Sequence, residues 1–175
     1  MPKLRKMLGD VDSEECLALM HLIETQNKNT LAAWAVGYAK ENYLGIYERE
    51  FPGDNRLAVA VSACEEYLAG NKKLSEIKPI LKEAGISARD AVESPAGQAA
   101  ARAVSTACGT VQTPTNALGF IFYGAAATAY SQAGTSESRE VYDQLAKEEF
   151  KKVYESLKRA AVADEVNPVK VKWNC

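Results

Sequence analysis

AVSTACGTVQTPTNALGFIFYGAAATAYSQAGTS, residues 103–136, contains no charged side chain, in a chain that is 25% charged overall. A helix that faces water needs polar residues along its wet face, so 34 uncharged positions in a row predict a stretch packed inside the fold. The stretch is not patterned as a membrane span. Gln112, Thr113, Pro114, Thr115 and Asn116 interrupt it, and the apolar part from Ala117 to Tyr130 is shorter than the ~20 residues a crossing needs. We read two buried helices joined at Thr113–Pro114.

Composition extends this reading to the whole chain. There are 28 alanines against 8 Tyr, 4 Phe and 2 Trp among 175 residues. Alanine loses no side-chain entropy in a helix and lets neighbouring backbones approach. The expectation is an all-α bundle of about six to seven helices around an alanine-rich central pair. One domain is expected over residues 1–175, with an extended tail at 167–175 docked by Trp173. Upstream of the pair, Ser94–Pro95 starts the first core helix. A short helix is expected over 87–93. Another spans 73–84, bent or started by Pro79 and closed by Gly85. Asp54 caps a helix that stops at Gly70. A long helix begins at Asn29 or Thr30 and ends at Phe51. The first helix runs from Asp12, with Glu15 completing a capping box, to Gln26. Downstream, residues 137–162 place Tyr142, Ala146, Phe150, Val153, Leu157 and Ala161 on one helical face. Asp143–Lys147, Glu148–Lys152 and Glu155–Arg159 lie on the other as i,i+4 pairs.

The net charge of −2, with basic residues dispersed, argues against nucleic-acid binding, which needs a concentrated positive face. No membrane contact is expected. Cys16, Cys64, Cys108 and Cys175 show no CxxC spacing, and the amino terminus lacks a continuous apolar core; a cytoplasmic protein is expected. His21 stands alone and cannot build a zinc site, so no metal, cofactor or catalytic residue is expected. The adjacent carboxylates Glu14–Glu15, Glu65–Glu66 and Glu148–Glu149 read as solvated faces. Arg102, an isolated charge in an uncharged helix, must be paired or reach solvent. It is expected to bridge to Asp90 or Glu93, or alternatively to face a cleft.

Two segments carry a family resemblance. LAAWAVGYAKENYLGIYEREFPGDNRLAVAVSACEEYLAGN (31–71) and AGQAAARAVSTACGTVQTPTNALGFIFYGAAATAYSQAG (96–134) resemble the bacterial and archaeal putative immunity proteins that are like the fifth class of polymorphic-toxin immunity proteins. The opening LRKMLGD and closing WNC are also similar. The resemblance implies a cytoplasmic binding protein that neutralises a toxin by occluding it. The exposed partner-binding residues are then expected to be Glu41, Tyr47, Glu48, Glu50, Asp54, Glu65 and Glu66. The alternative is a small-ligand-binding or enzymatic helical domain with a pocket between the central helices, lined by Trp34, Tyr38, Arg102, Gln112, Asn116 and Tyr123. A third expectation is a homodimer built on the final amphipathic helix.

Overall fold

The computed structural model describes residues 3–174. The described residues form eight helices: α1 Glu14–Ile23, α2 Lys28–Asn42, α3 Leu44–Glu50, α4 Arg56–Leu68, α5 Leu74–Asp90, α6 Pro95–Gly109, α7 Asn116–Ala133 and α8 Arg139–Ala160. Met1 and Cys175, the ends of the expected domain, lie outside the described residues, and so does the final cysteine of the WNC segment.

The uncharged stretch is the centre, as its composition requires. α6 and α7 make the most extensive helix–helix contact in the molecule. They run antiparallel: a side chain added at Gly109 would collide with Asn116, and one added at Gly119 would touch Thr106. Small residues make that approach feasible. Ala99, Ala100, Ala101, Ala103 and Ala107 of α6 are buried, as are Ala125, Ala126, Ala127 and Ala129 of α7. α6 also packs on α2, α3, α4 and α5, while α8 covers α7 and α1. Ser94 caps α6 by accepting the Gly97 N–H at 3.0 Å, with Pro95 in the first turn, where its missing donor costs nothing.

The long second helix is broken in two at Tyr43, whose φ/ψ of −117°/−33° ends α2 and begins α3. The Tyr43 ring is fully buried against Gly124 of α7, where only a glycine leaves it room. In the opposite sense, the expected 73–84 and 87–93 helices are one. α5 runs through Pro79 and Gly85 without stopping. A mid-helix glycine costs only ~1 kcal/mol, and Ile77, Ala84, Ser87 and Ala88 bury one continuous face against α4 and α6. Three caps move as well: Asn55, not Asp54, is the N-cap position of α4. Ser13, not Asp12, accepts the Cys16 N–H at 3.1 Å, and Asn27 accepts the Thr30 N–H at 2.9 Å.

Both ends of the described residues are tied to the bundle. In the amino-terminal segment, buried Leu8 donates its N–H to the Phe122 carbonyl at 3.1 Å, and the Tyr130 hydroxyl donates to the Arg5 carbonyl at 2.7 Å. Gly9, next to Leu8, has φ +123° and lies against the Phe150 and Phe122 rings, so both its backbone and its surroundings exclude a side chain. After α8 the chain turns at 163–164 and bends at 166–167, with Asp164 and Asn167 at positive φ, and residues 168–174 form neither helix nor strand. Gln26, 1% exposed, clamps it: its Oε1 accepts the Val162 N–H at 2.8 Å and its Nε2 donates to the Val162 carbonyl at 3.0 Å. Val169 N–H donates to the Gln26 carbonyl at 2.8 Å, and Trp173 Nε1 donates to Glu24 at 2.8 Å.

The apolar face of α8 is spent inside the chain. Tyr142, Ala146, Phe150, Val153 and Leu157 are all buried, so that face is not available for the expected dimer. Its opposite face is wet, but the three expected i,i+4 ion pairs are absent among the described residues. Asp143 instead forms ion pairs with Arg5, at 2.8 Å, and Arg139, at 3.8 Å.

Candidate functional site

The most unusual group in the structure is Glu149. It is a carboxylate only 5% exposed, in the middle of the apolar face of α8. Two buried phenols converge on one of its oxygens: Tyr38 donates to Oε2 at 2.9 Å and Tyr43 donates to the same atom at 2.5 Å. Around them Phe120 packs edge-on against Trp34 (5.4 Å) and Tyr43 (6.3 Å). Burial pushes the Glu149 carboxyl above its usual value, opposed by the two phenol hydrogen bonds and by nearby Lys152. Burial, reinforced by the Glu149 charge, also raises both tyrosines well above the ordinary phenol range. The second carboxylate oxygen, Oε1, accepts no hydrogen bond among the described residues. Glu149 lines a cleft of about 240 Å³ together with Asn42, Ile46, Arg49, Thr128, Ser131, Gln132 and Lys152.

A second polar knot joins α3, α4 and α5. Asp54 receives the Arg56 guanidinium through both oxygens (3.0 and 2.6 Å) and the Tyr47 hydroxyl at 2.7 Å. Arg56 also reaches Asp90 at 3.0 Å. The Arg56 hydrogen bonds hold the Asp54 carboxyl well below the usual carboxylate range, and burial with the Asp54 hydrogen bond pushes Tyr47 up to about 12. This knot corrects two expectations. Tyr47 is 1% exposed and cannot be a surface anchor. Asp90 belongs to Arg56, so the predicted Arg102–Asp90 bridge is not formed. Among the described residues Arg102 enters no ion pair and is half-exposed.

The other residues expected at a partner surface group around α4. Its outer face shows Val59, 43% exposed, together with Ser62, Glu65 and Glu66. A groove lies on each side. The α2–α4 groove, about 630 Å³, is lined by Ala33, Val36, Gly37, Lys40, Glu41, Glu65 and Leu68. The α4–α5 groove, about 390 Å³, is lined by Asn55, Ala58, Val59, Ser62, Ala63, Glu66, Lys72 and Ile80. Lys40 and Glu65 pair across the first at 2.9 Å. Glu48 and Glu50 are exposed on α3.

The model of the Imm-5 like putative immunity protein family matches residues 21–158. The chain belongs to this family. The match begins in the last turn of α1 and ends near the end of α8, so the central pair, the Glu149 cluster and the α4 face all lie within the family's matched region. No curated protein and no solved structure matches the chain.

The residues expected to line a ligand pocket divide into two groups. Trp34 and Tyr38 are buried core members, 7% and 8% exposed; the Trp34 indole donates to Ser156 at 3.1 Å. Arg102, Asn116 and Tyr123 are half-exposed on the outer seam of the α6–α7 hairpin, and Gln112 is exposed at its turn. None of the four clefts described is lined by any of the six. Glu149 was missed because adjacent glutamates read as a wet face. The signal was present: position 149 follows Ala146 by three and precedes Val153 by four, inside the apolar stripe. No helix among the described residues is long and apolar enough to cross a membrane.

Proposed function

We propose that this immunity-family protein neutralises a toxin in the cytoplasm by binding it directly, without catalysis, through the outer face of α4 and its two flanking grooves. The observation that carries the reading is the shape of that face: a helix held by its buried side against α2, α5 and α6, with Val59 exposed and apolar groove floors on either side. Interfaces draw their energy from apolar pockets near the centre and their selectivity from a charged rim. Here Val36, Leu68, Ala58 and Ile80 would supply the first, and Glu41, Glu65 and Glu66 the second. Lys40, paired with Glu65, and Lys72 share that rim, so a matching partner places basic side chains on Glu41 and Glu66. Glu48 and Glu50 extend the same acidic character on α3, whereas Tyr47 and Asp54 serve by fixing the α3–α4 corner.

The test is co-expression with the product of each adjacent open reading frame that arrests growth. The native chain should restore growth and co-purify with that product. A triple charge reversal, Glu41→Lys, Glu65→Lys and Glu66→Lys, should keep the helical circular dichroism spectrum and lose both effects. A native chain that neither rescues nor binds any adjacent toxic product would refute the reading.

A further inference from the structure

We propose that the cleft above Glu149 binds a small zwitterion, its ammonium end on Glu149 at the floor and its carboxylate end on Arg49 and Lys152 at the rim. The floor sets the first requirement. Glu149 is 5% exposed, and its Oε2 already accepts from Tyr38 and Tyr43. Oε1 has no protein donor among the described residues, and Glu149 is one of the residues lining the cleft. A nearly buried carboxylate oxygen with one side open is best satisfied by a cationic donor, because charge-assisted hydrogen bonds are about twice as strong as neutral ones. The last turn of α7 borders the same space, and the negative end of a helix dipole favours a positive charge.

The rim sets the opposite requirement. Arg49 and Lys152 line the cleft, and neither enters an ion pair among the described residues. Arg49 has only the Ser131 hydroxyl, at 3.4 Å. A simple cation would be repelled at this rim, and a simple anion would meet a carboxylate at the floor. A molecule with both charges satisfies both ends at once. The side walls add neutral hydrogen-bonding groups from Asn42, Thr128 and Ser131. The volume, about 240 Å³, is below the 300–1,000 Å³ typical of drug-sized sites. It suits an amino-acid-sized ligand and is too small for a nucleotide. This site shares no residue with the α4 grooves, so its fate is independent of the toxin-binding proposal.

The experiment is calorimetric titration of the full chain with glycine, β-alanine and 4-aminobutyrate, which vary the spacing of the two charges. Acetate and methylammonium serve as singly charged probes. At least one zwitterion should bind, and more tightly than either single-charge probe. Glu149→Gln and Arg49→Gln should each weaken it about tenfold or more, the loss expected for one hydrogen bond to a charged group. The carboxamide oxygen introduced by Glu149→Gln keeps an acceptor for both tyrosines; if that variant nevertheless fails to fold, the exposed Arg49→Gln and Lys152→Gln variants decide alone. The proposal is overturned if no zwitterion binds, if acetate or methylammonium binds equally well, or if the variants bind unchanged. Closure of Lys152 onto Glu149 Oε1 would give the first of these results.

Discussion

Consider one methyl group added at residue 124. In α7, an ideal Cβ at Gly124 falls closer than 3.0 Å to three atoms of the Tyr43 ring, including its hydroxyl oxygen. Tyr43 is completely buried and flanked by Tyr38 and Phe120, so the ring cannot yield without disturbing the cluster. Overpacking of this kind costs ~1–3 kcal/mol. Displacing the ring also breaks its hydrogen bond to Glu149, which removes another ~1.5–3 kcal/mol for a charged acceptor. Alanine returns up to ~1 kcal/mol through its better helix propensity. Gly124→Ala should therefore destabilise the protein by about 1.5–6 kcal/mol. Gly37, exposed in α2 with nothing within 4 Å of its Cβ position, is the internal control; Gly37→Ala should stabilise by about 0.5–1 kcal/mol. Urea unfolding followed by tryptophan fluorescence is well placed to read this, since Trp34 packs on Phe120 in the same cluster. Pairing Gly124→Ala with Tyr43→Leu should cost less than the sum of the single changes. A Gly124→Ala midpoint indistinguishable from the parent would show that the Tyr43 ring is not held where the packing argument needs it.

Four further outcomes are expected. Because burial raises the Glu149 carboxyl, its contribution is fully present below about pH 4.5 and is lost as pH rises through the folded-state value; Glu149→Gln should gain on the parent across that rise, read as the difference in urea midpoints from acid to neutral pH. Asp54 is shifted the other way, so its contribution is present above about pH 3.9 and lost below it; Asp54→Asn should cost about 1–3 kcal/mol at neutral pH and converge with the parent in acid. Thr110 Oγ1 is buried with no partner among the described residues, and the near-isosteric Thr110→Val should raise the thermal midpoint by relieving a penalty of about 1–3 kcal/mol. Arg102 is half-exposed and outside every ion pair described, so Arg102→Met should leave stability within about 1 kcal/mol, where a buried bridge would have cost several.

What the sequence made legible follows a physical division. The uncharged stretch located α6 and α7 because absence of charge over 34 positions has few explanations other than burial. The wet face of α8 and the docked Trp173 were equally readable. Breaks and partners were not. The α2–α3 break depends on Tyr43 finding space beside Gly124, 81 residues later in the chain. No local propensity encodes that. Conversely, Gly85 looks like a stop and Pro79 like a bend or a start, yet the buried face of α5 outweighs local costs of ~1 kcal/mol for the glycine and ~3 kcal/mol for the proline. Arg102 stands out as an isolated charge, but its expected partner was wrong, because Asp90 answers to Arg56 from another helix. Glu149 could have been found by phase along α8, had the stripe been weighed above the pairing of two adjacent glutamates.

The Gln26 clamp bears on the order in which the molecule can be completed during synthesis. The clamp residue emerges from the ribosome well over a hundred residues before Val162, whose N–H and carbonyl it holds. Val169 and Trp173 follow later still. Until those residues appear, the Gln26 Nε2 has only the neighbouring Thr25 carbonyl and hydroxyl, and its Oε1 lacks the Val162 N–H, so the carboxamide must remain hydrated. Loops that close over so long a separation pay their entropy late and fold slowly. The corner is therefore the last part of the bundle to become dry. A nascent chain stalled within α8 would display that corner before Val162, Val169 and Trp173 had arrived to close it.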